Sequence, residues 1–256
     1  MSDDVSTLIA RLPALGEAVL VTLELTVGGA LLALLVAVLL GFGSRAGTLW
    51  VRGPSRVVVE FFRGTSLVVQ FFWLFFVLPE FGIKLDSIAV GIVALGLNFG
   101  AYGAEVVRCS VDAVPRGQWE AATALNLGRL HRIRRVIFPQ AWAQMVPMLA
   151  NLLIQLLKGS ALASTIFLHD VQFWTGQLRQ ATQDTFFSFG VGLLVYFAIA
   201  YLLTLLMNVL EARAKRRLGQ GPPRPTLREV LRLAPRTGPT PTAAAAAPDG
   251  VKEGAA

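Results

Sequence analysis

Long apolar segments alternate with short polar ones over most of this chain, and the pattern predicts membrane-spanning helices. A helix that crosses the hydrocarbon core of a bilayer needs about 20 mostly apolar residues, because it rises about 1.5 Å per residue. Five segments meet or nearly meet this requirement: 18–42, 57–78, 87–107, 141–157 and 186–210. The second contains Glu60 and Arg63 near its beginning. The sequence therefore predicts an all-α integral membrane protein with about five transmembrane helices.

Positive residues between these segments are distributed unevenly between the two sides of the membrane. If successive loops alternate sides, fourteen Lys and Arg residues lie on one side and four on the other, and five more follow residue 218. Loops rich in Lys and Arg stay in the cytoplasm. This rule predicts an external N-terminus and a cytoplasmic C-terminus, which agrees with an odd number of helices. The net charge of +7 is then a consequence of membrane topology, and nucleic acid is not an expected partner.

Composition supports a membrane protein and excludes several other classes. Hydrophobic residues make up 54% of the 256 residues and charged residues 15%, with a mean hydropathy of +0.60, unlike a disordered chain. One cysteine cannot form a disulfide within the chain, and two histidines far apart in the sequence do not make a metal-ligand cluster. The phosphate-binding pattern Gly-x-x-x-x-Gly-Lys-Ser/Thr does not occur. We therefore expect no catalytic site, no ATPase site and no cofactor in this chain.

Composition also divides the chain into three regions. Residues 1–17 are expected to be an external N-terminal segment, and residues 18–217 to form the transmembrane domain. From residue 218 onward Pro, Ala, Gly and Thr dominate, and such a segment buries too little apolar surface to offset chain entropy. Residues 218–256 are therefore predicted to be a disordered cytoplasmic tail.

The interval between the third and fourth apolar segments, residues 108–140, has the pattern of a helix rather than of a flexible linker. Apolar residues recur at helical spacing, and Arg129, Arg132 and Arg135 lie three apart on a polar side. Pro139 marks the beginning of the next apolar segment. A structured cytoplasmic loop is typical of a docking surface, and the alternative is an amphipathic helix that lies on the bilayer.

The sequence GQWEAATALNLGRLHRIRRVIFPQA, residues 117–141, resembles the EAA loop of permease subunits of ABC importers. That family has Glu-Ala-Ala, three residues, Gly, nine residues, Ile, one residue, Leu and Pro. Here Glu120, Ala121 and Ala122 begin the pattern and Pro139 ends it, with Val and Phe in place of Ile and Leu. The resemblance implies two short helices that fit a groove on a separate ATPase subunit.

The family's glycine position in this loop is occupied by Asn126, and Gly128 follows two residues later. Asparagine is among the residues that tolerate the left-handed backbone conformation, so we expect the turn between the two short helices to survive. The resemblance implies a coupling surface of seven residues: Gly117, Glu120, Ala121, Ala122, Asn126, Gly128 and Pro139.

Three further segments resemble the polar amino-acid branch of these permeases, the histidine/glutamine permease type. Residues 57–72 contain Arg-Gly-Thr-Ser where that branch has Arg-Gly-Thr-Pro, and residues 97–108 contain its Asn, Ala-Tyr, Glu and Arg series. Residues 156–162 keep Lys158, whereas Gly159 replaces an acid. With these changes the chain looks like the permeases for ectoine and hydroxyectoine.

Five polar residues of the predicted spans are candidates for the substrate path: Asn98, Tyr102, Glu105, Lys158 and Ser160. Polar side chains are unfavourable in a bilayer, so each needs a role. Asn98, Tyr102 and Glu105 are spaced four and three apart and share a helix face. They either line a polar passage or join helices through hydrogen bonds. Lys158 either meets a substrate carboxylate or extends to the membrane surface.

Two acidic residues of the predicted spans have a basic neighbour three positions later. Glu60 precedes Arg63, and Glu105 precedes Arg108. Side chains three residues apart are neighbours on a helix surface. We therefore expect a local ion pair at each position.

These features lead to one functional hypothesis and two alternatives. The resemblance implies a permease subunit of a binding-protein-dependent ABC importer in the bacterial cytoplasmic (inner) membrane, carrying a polar amino acid or an ectoine-like solute. The implied partners are cytoplasmic ATP-binding cassette subunits that hold ATP and Mg²⁺, an extracellular or periplasmic solute-binding protein, and a second permease subunit, either a sister chain or a copy. The alternatives are an ion-coupled secondary transporter of a small zwitterion, with Glu105 as the coupling site, and a non-transporting membrane docking subunit.

Overall fold

The computed structural model describes residues 2–217, without several side chains near the two ends of that range. In this part of the chain there are ten α-helices and no β-strands, which confirms the predicted all-α class. The helices are α1 (Ser2–Ala10), α2 (Leu12–Gly43), α3 (Leu49–Gly64), α4 (Leu67–Phe72), α5 (Ser87–Asp112), α6 (Arg116–Ala124), α7 (Arg129–Arg132), α8 (Phe138–Ser160), α9 (Val171–Thr182) and α10 (Thr185–Arg217), with π-helical turns at Trp73–Val77 and Ile133–Ile137 and 3-10 turns at Leu78–Phe81 and Ala161–Ile166. The predicted tail, residues 218–256, lies outside the described residues.

Four helical segments are long and apolar enough to cross a membrane: Leu12–Gly43, Ser87–Asp112, Arg129–Ile166 and Thr185–Arg213. The first begins before residue 18, so the boundary predicted at residue 17 lies inside α2, whose first turn contains Pro13. Proline is favoured there because its fixed φ suits the start of a helix. The third segment runs without interruption from α7 through the π-helical turn into α8, and Pro139 is tolerated because it lies in the first turn of α8.

The second predicted span, residues 57–78, is not one straight helix. Helix α3 ends at Gly64, α4 begins at Leu67, and the two segments are bent by 104°. Thr65 and Ser66 have extended backbone, with ψ 148° and 133°, which interrupts the helical hydrogen bonds. The prediction of a single helix is wrong here because hydropathy detects apolar residues and not a change of chain direction. The count of five spans holds if this bent pair is one span.

Helices α2 and α5 pack closely because glycines of α5 face α2. A Cβ atom added to Gly100 would lie 2.7 Å from Cβ of Val36, and one added to Gly103 would lie 2.7 Å from Cβ of Ala37. Small residues allow membrane helices to approach each other in this way. The α2–α5 pair is therefore the most closely packed part of the described structure, and α3 and α8 pack against it.

Three apolar clusters join the other helices to this pair. The first contains Phe71 and Leu95 and connects α4 with α2, α5 and α8. The second contains Ile137 and Met145, and Trp119 of α6 packs against it. The third contains Trp174 and connects α2 and α9 with α10. These clusters fix the position of the loop between α5 and α8 and of the break between α3 and α4.

Candidate functional site

The loop between α5 and α8 folds into two short helical segments joined by a tight turn. Asn126 has φ 52°, the left-handed conformation expected from the sequence. Its N–H donates to the carbonyl of Thr123 (2.9 Å), and the N–H of Leu127 donates to the carbonyl of Ala122 (3.1 Å). These two bonds make a Schellman cap, in which a left-handed residue closes a helix. Gly128 has an ordinary φ of −57°, so Asn126 alone turns the chain.

The surface of this α6–α7 loop combines one carboxylate and exposed apolar side chains with exposed arginines in α7 and in the turn that follows it. Glu120 and Ala121 are exposed, whereas Ala122 is buried. Leu125 and Leu130 are 74% and 78% exposed. Exposed leucines beside a charged group are typical of a surface that binds another protein.

The seven predicted coupling residues lie within this loop or beside it. Five of them are exposed: Gly117, Glu120, Ala121, Asn126 and Gly128. A Cβ atom on Gly117 would meet no atom within 4 Å, so packing within this chain does not require glycine there. Ala122 and the half-buried Pro139 face the rest of the protein. The exposed five are therefore the residues that a partner can reach.

Two side-chain hydrogen bonds fasten α6 to the helices that follow it. Nε2 of Gln140 donates to Oε1 of Gln118 (3.3 Å). Nη1 of Arg132 donates to Oγ1 of Thr123 (2.6 Å). Helix α6 is thus attached to both α7 and α8.

A third attachment of α6 was missed by the sequence analysis and involves Arg45, in the turn after α2. Its guanidinium lies over the ring of Trp119, 5.7 Å from the centroid, and forms an ion pair with Asp112. Asp112 also accepts a hydrogen bond from Nη1 of Arg108 (3.3 Å). The spacing of Arg108 and Asp112 is a local signal, but Arg45 and Asp112 are 67 residues apart, so no local pattern reveals their pairing.

A polar cluster, in which Gln70 and Asn98 are buried and Tyr102 is exposed, replaces the helical hydrogen bonds that are lost between α3 and α4. Nδ2 of Asn98 and Nε2 of Gln70 both donate to the carbonyl of Phe62, each at 3.1 Å. The hydroxyl of Tyr102 donates to the carbonyl of Arg63 (3.2 Å). In this structure Asn98 and Tyr102 therefore join α5 to the end of α3, which is one of the two roles expected for them. Gln70 was missed because its partner lies across the break.

Both predicted local ion pairs are present. Nη1 of Arg63 lies 3.3 Å from Oε1 of Glu60. Nε of Arg108 donates to Oε2 of Glu105 (3.0 Å). Glu105 follows Tyr102 by one helical turn on α5, so it lies beside the polar cluster while its carboxylate is held by its own helix.

The last two path candidates, Lys158 and Ser160, lie together at the end of α8 and differ in exposure. Lys158 is exposed, and no ion pair involves it among the described residues. Ser160 is fully buried, and its hydroxyl donates to the carbonyl of Leu157 (2.7 Å). Lys158 can therefore meet a molecule from outside this chain, whereas the Ser160 hydroxyl is engaged within its own helix.

Gly159 brings α8 against α5 near the polar cluster. A Cβ atom at this position would lie 3.1 Å from the ring of Phe99 and 3.3 Å from a methyl group of Leu67. Phe99 is the neighbour of Asn98 in the chain. An acidic side chain at position 159 would require Phe99 and Leu67 to move, so the loss of the acid is matched by the surrounding packing.

A buried carboxylate, which the sequence analysis also missed, precedes α9. Oδ1 of Asp170 accepts a hydrogen bond from the N–H of Phe173 (2.9 Å) and caps this helix, while the hydroxyl of Tyr196 donates to Oδ2 (3.3 Å). Burial raises the pKa of Asp170 to about 6, because the charged form loses its hydration. An aspartate before an apolar helix is a capping signal, but Tyr196 on α10 is distant in sequence.

A cavity of about 820 Å³ lies between α2, α5, α8 and α10. Its side chains within the described part of the chain are apolar, Trp142 and Met207 among them, apart from Arg213. None of the five path candidates lines it. The polar cluster and this apolar cavity are therefore separate features.

Comparison with known proteins covers most of the chain. Residues 29–216, which include the α3–α4 break and the α6–α7 loop, match the model of the family described as binding-protein-dependent transport system inner membrane component. The chain is 41% identical over 208 residues to the "Probable amino-acid ABC transporter permease protein y4tF" of Sinorhizobium fredii, which covers 79% of this chain and 87% of that protein. It is 31% identical over 205 residues to the L-cystine transport system permease protein TcyB of Bacillus subtilis, covering 80% and 88%.

Solved structures share the fold. A crystal structure of an amino acid ABC transporter with histidines has a TM-score of 0.74 at 28% identity, covering 80% of this chain and 96% of that one. An inward-facing structure of the MetNI methionine ABC transporter has a TM-score of 0.69 at 18% identity, covering 80% and 98%. The second likeness concerns the fold alone.

Proposed function

Because the chain belongs to the family of binding-protein-dependent transport system inner membrane components, we propose that it is the permease subunit of an ABC importer for a polar amino acid. It is a multi-pass component of the inner membrane and a transport subunit, and ATP is hydrolysed by a separate subunit. Relatives named for amino-acid and L-cystine transport favour an amino acid over an ectoine-like solute.

The observation that carries this proposal is the geometry of the α6–α7 loop. The left-handed turn at Asn126 leaves Glu120 of α6 and Leu125, which directly follows α6, both exposed. Small Gly117 and Ala121 allow another helix to approach α6 closely. An ATPase groove with an apolar floor, a cation opposite Glu120 and acidic groups opposite the arginines of α7 would complement this surface. In this proposal ATP and Mg²⁺ bind to the ATPase, and this chain holds no cofactor.

A charge reversal on α6 tests the docking surface. In vesicles that contain the whole transporter, Glu120→Arg should abolish ATP-dependent uptake, because it places a cation against the proposed cation of the groove. Glu80→Arg is the matched control, since Glu80 is also exposed but lies after α4. Normal uptake by the Glu120→Arg protein, at normal membrane levels, would contradict the proposal.

The proposed substrate path runs from Lys158 past Asn98 and Tyr102 to Glu105. The exposed ammonium of Lys158, which has no ion-pair partner among the described residues, would meet the substrate carboxylate. Ser160, the fifth candidate, would support the end of α8 from its buried position. Lys158→Ala should raise the KM for uptake, with Arg179→Ala as an exposed control. An unchanged KM and unchanged substrate preference would remove Lys158 from the path.

An ectoine-like zwitterion is the second candidate substrate, and the packing at Gly159 favours it. No acid is present at this position to pair with a compact substrate ammonium group, and the ring of Phe99 occupies the space instead. Rings attract cations whose charge is spread over several atoms. Competition for uptake of a labelled substrate decides between the two. Excess unlabelled ectoine should suppress this uptake if ectoine is the substrate, and excess unlabelled amino acid should suppress it if an amino acid is the substrate.

The proposed topology places the N-terminus outside and the C-terminus, with residues 218–256, in the cytoplasm. Single cysteines introduced into a Cys109→Ser background test it, at the exposed residues Glu80 and Arg116. An impermeant maleimide added to intact cells should label Glu80→Cys. It should label Arg116→Cys only after the membrane is opened. The reverse pattern would invert the topology.

The proposed partners are ATP-binding cassette subunits, an external solute-binding protein, and a second permease that is either a sister chain or a copy. Copurification in mild detergent and mass spectrometry should identify them. Uptake that is driven by an ion gradient without ATP would instead indicate the secondary transporter. A complex with no uptake of any amino acid or zwitterion tested would indicate a docking subunit.

A further inference from the structure

We propose that Arg45 is a positioning residue that transmits movement of the α6–α7 loop to the α2–α5 pair, an inference that rests on the proposed function. Arg45 contacts Trp119 of α6 on one side and Asp112 of α5 on the other. It thereby joins three elements of the chain: the turn after α2, the end of α5 and the first helix of the loop.

The backbone around Arg45 is held in place by successive turns. Three consecutive backbone N–H groups donate to carbonyls of the last turn of α2. Ser44 donates to the carbonyl of Leu40 (2.8 Å), Arg45 to that of Phe42 (3.1 Å) and Ala46 to that of Gly43 (3.0 Å). Ser44 itself is buried. The guanidinium therefore extends from a fixed point at the end of α2, and a shift of α2 moves it.

Charged groups continue from Arg45 along the end of α5. Asp112 is held by Arg45 and, at 3.3 Å, by Nη1 of Arg108. Arg108 in turn pairs with Glu105. Ion pairs that are partly exposed contribute little to stability, and the Asp112 side chain is 50% exposed. The network is therefore better suited to fixing the relative positions of helices than to holding the fold together.

Trp119 is the point at which this network meets the loop. The Trp119 side chain packs against the apolar cluster that contains Ile137, and the guanidinium of Arg45 lies over its ring. The links of α6 to α7 and α8 run through Thr123 and Gln118. Arg45 adds a link to α2, which packs closely against α5. A displacement of α6 would thus act on α2 and α5 as well as on α7 and α8.

The test compares ATP hydrolysis with substrate uptake in vesicles that contain the complete transporter. Arg45→Met keeps an unbranched apolar stem and removes the guanidinium and its charge. We expect uptake per ATP hydrolysed to fall about tenfold, a typical size for coupling between sites, while ATPase copurification and thermal unfolding stay unchanged. Arg45→Lys should restore part of the coupling, because it can still pair with Asp112. Arg56→Met, on an exposed position of α3, is the matched control.

Three further variants separate the contacts of Arg45. Trp119→Phe keeps a ring for the guanidinium and should retain more coupling than Trp119→Leu, and Asp112→Asn should lower coupling in the same direction as Arg45→Met. An unchanged ratio of uptake to ATP hydrolysis in Arg45→Met and Asp112→Asn overturns the proposal. Loss of the ATPase from the purified Arg45→Met complex also overturns it, because Arg45 would then only maintain docking. Failure of the wild-type complex to import any amino acid with ATP would instead overturn the proposed function.

Discussion

The molecule interrupts its helices in two places and closes the two interruptions in opposite ways. At Asn126 the backbone bonds to its own helix, within five residues, on an exposed loop. Between α3 and α4, the carbonyls of Phe62 and Arg63 are bound by side chains from α4 and α5, and the two donors to Phe62 are buried. A local closure lets a loop move as a unit, whereas a closure made by distant side chains ties the break to the packing of the whole domain.

The largest effect should follow removal of the buried donors at the α3–α4 break. In the double variant Gln70→Leu/Asn98→Leu the carbonyl of Phe62 loses both side-chain donors. We expect the double variant to lose about 4 kcal/mol of stability, because a buried acceptor without a donor costs about 1–3 kcal/mol and the bond from Gln70 to Oγ1 of Thr65 (2.6 Å) is removed as well. Each single variant should lose less than half, since one donor to the Phe62 carbonyl remains. Thermal unfolding of the wild type, the two single variants and the double variant in detergent measures these differences. Strictly additive losses of stability would contradict shared use of the Phe62 carbonyl by the two donors.

A smaller effect is expected at Asp170, which combines a local cap with a distant partner, Tyr196. The ordinary pKa of Asp170 is 3.8, and its pKa in the folded protein is about 6. At a pH between these two values, Asp170 keeps its proton in the folded protein and has released it in the unfolded chain. Stability should therefore fall by up to about 3 kcal/mol as the pH rises through this range, and change little through Asp170 above it. Asp170→Asn, which is neutral and still caps α9, should remove this part of the pH dependence. Melting temperatures from pH 4 to pH 8 make the comparison, and identical slopes for both proteins would refute it.

The turn at Asn126 should respond only to substitutions that disfavour its left-handed backbone. Asn126→Val should destabilise the loop by about 1–2 kcal/mol, because a β-branched residue is strained at positive φ. Asn126→Gly should have little effect. Gly128→Ala is the matched control, since that glycine has φ −57° and open space around it. Hydrogen exchange of the α6–α7 amides measures these differences, and greater sensitivity at Gly128 than at Asn126 would mean that the turn is made elsewhere.

The smallest effect concerns Ser66, at the break itself. Its φ of −68° and ψ of 133° suit proline, and Thr65 before it is extended, as a residue preceding proline should be. Ser66→Pro should therefore stabilise the protein by about 0.5–1 kcal/mol, by restricting the unfolded chain. Thermal unfolding again provides the measurement. A loss of stability would indicate that the Ser66 N–H or hydroxyl makes a contact that the break requires.

These contrasts also explain how much could be predicted from the sequence. The all-α class, the turn at Asn126 and the pairs Glu60–Arg63 and Glu105–Arg108 follow from residues close together in the chain. The bend at Thr65 and Ser66 could not be predicted from hydropathy, because the residues that stabilise it are elsewhere.

The contacts that were missed join residues far apart in the sequence. Asn98 is 36 residues from Phe62, Tyr196 is 26 from Asp170, and Arg45 is 67 from Asp112. Each of these contacts depends on how the helices pack, so it cannot be predicted from composition or from the spacing of residues. The sequence thus identified Asn98 as a residue that needs a role but left open which role.

The length of α2 has a consequence for the medium in which Arg45 acts. A helix of 32 residues extends about 48 Å, well beyond a hydrocarbon core of about 30 Å. Its end, and the guanidinium that follows it, can therefore lie among lipid headgroups and water instead of in hydrocarbon. Mobile ions compete with exposed charges there over a screening length of about 8 Å at physiological salt. The attraction between Arg45 and Asp112 then weakens as ionic strength rises, so the salt content of the cell affects how strongly Arg45 joins the end of α2 to α5.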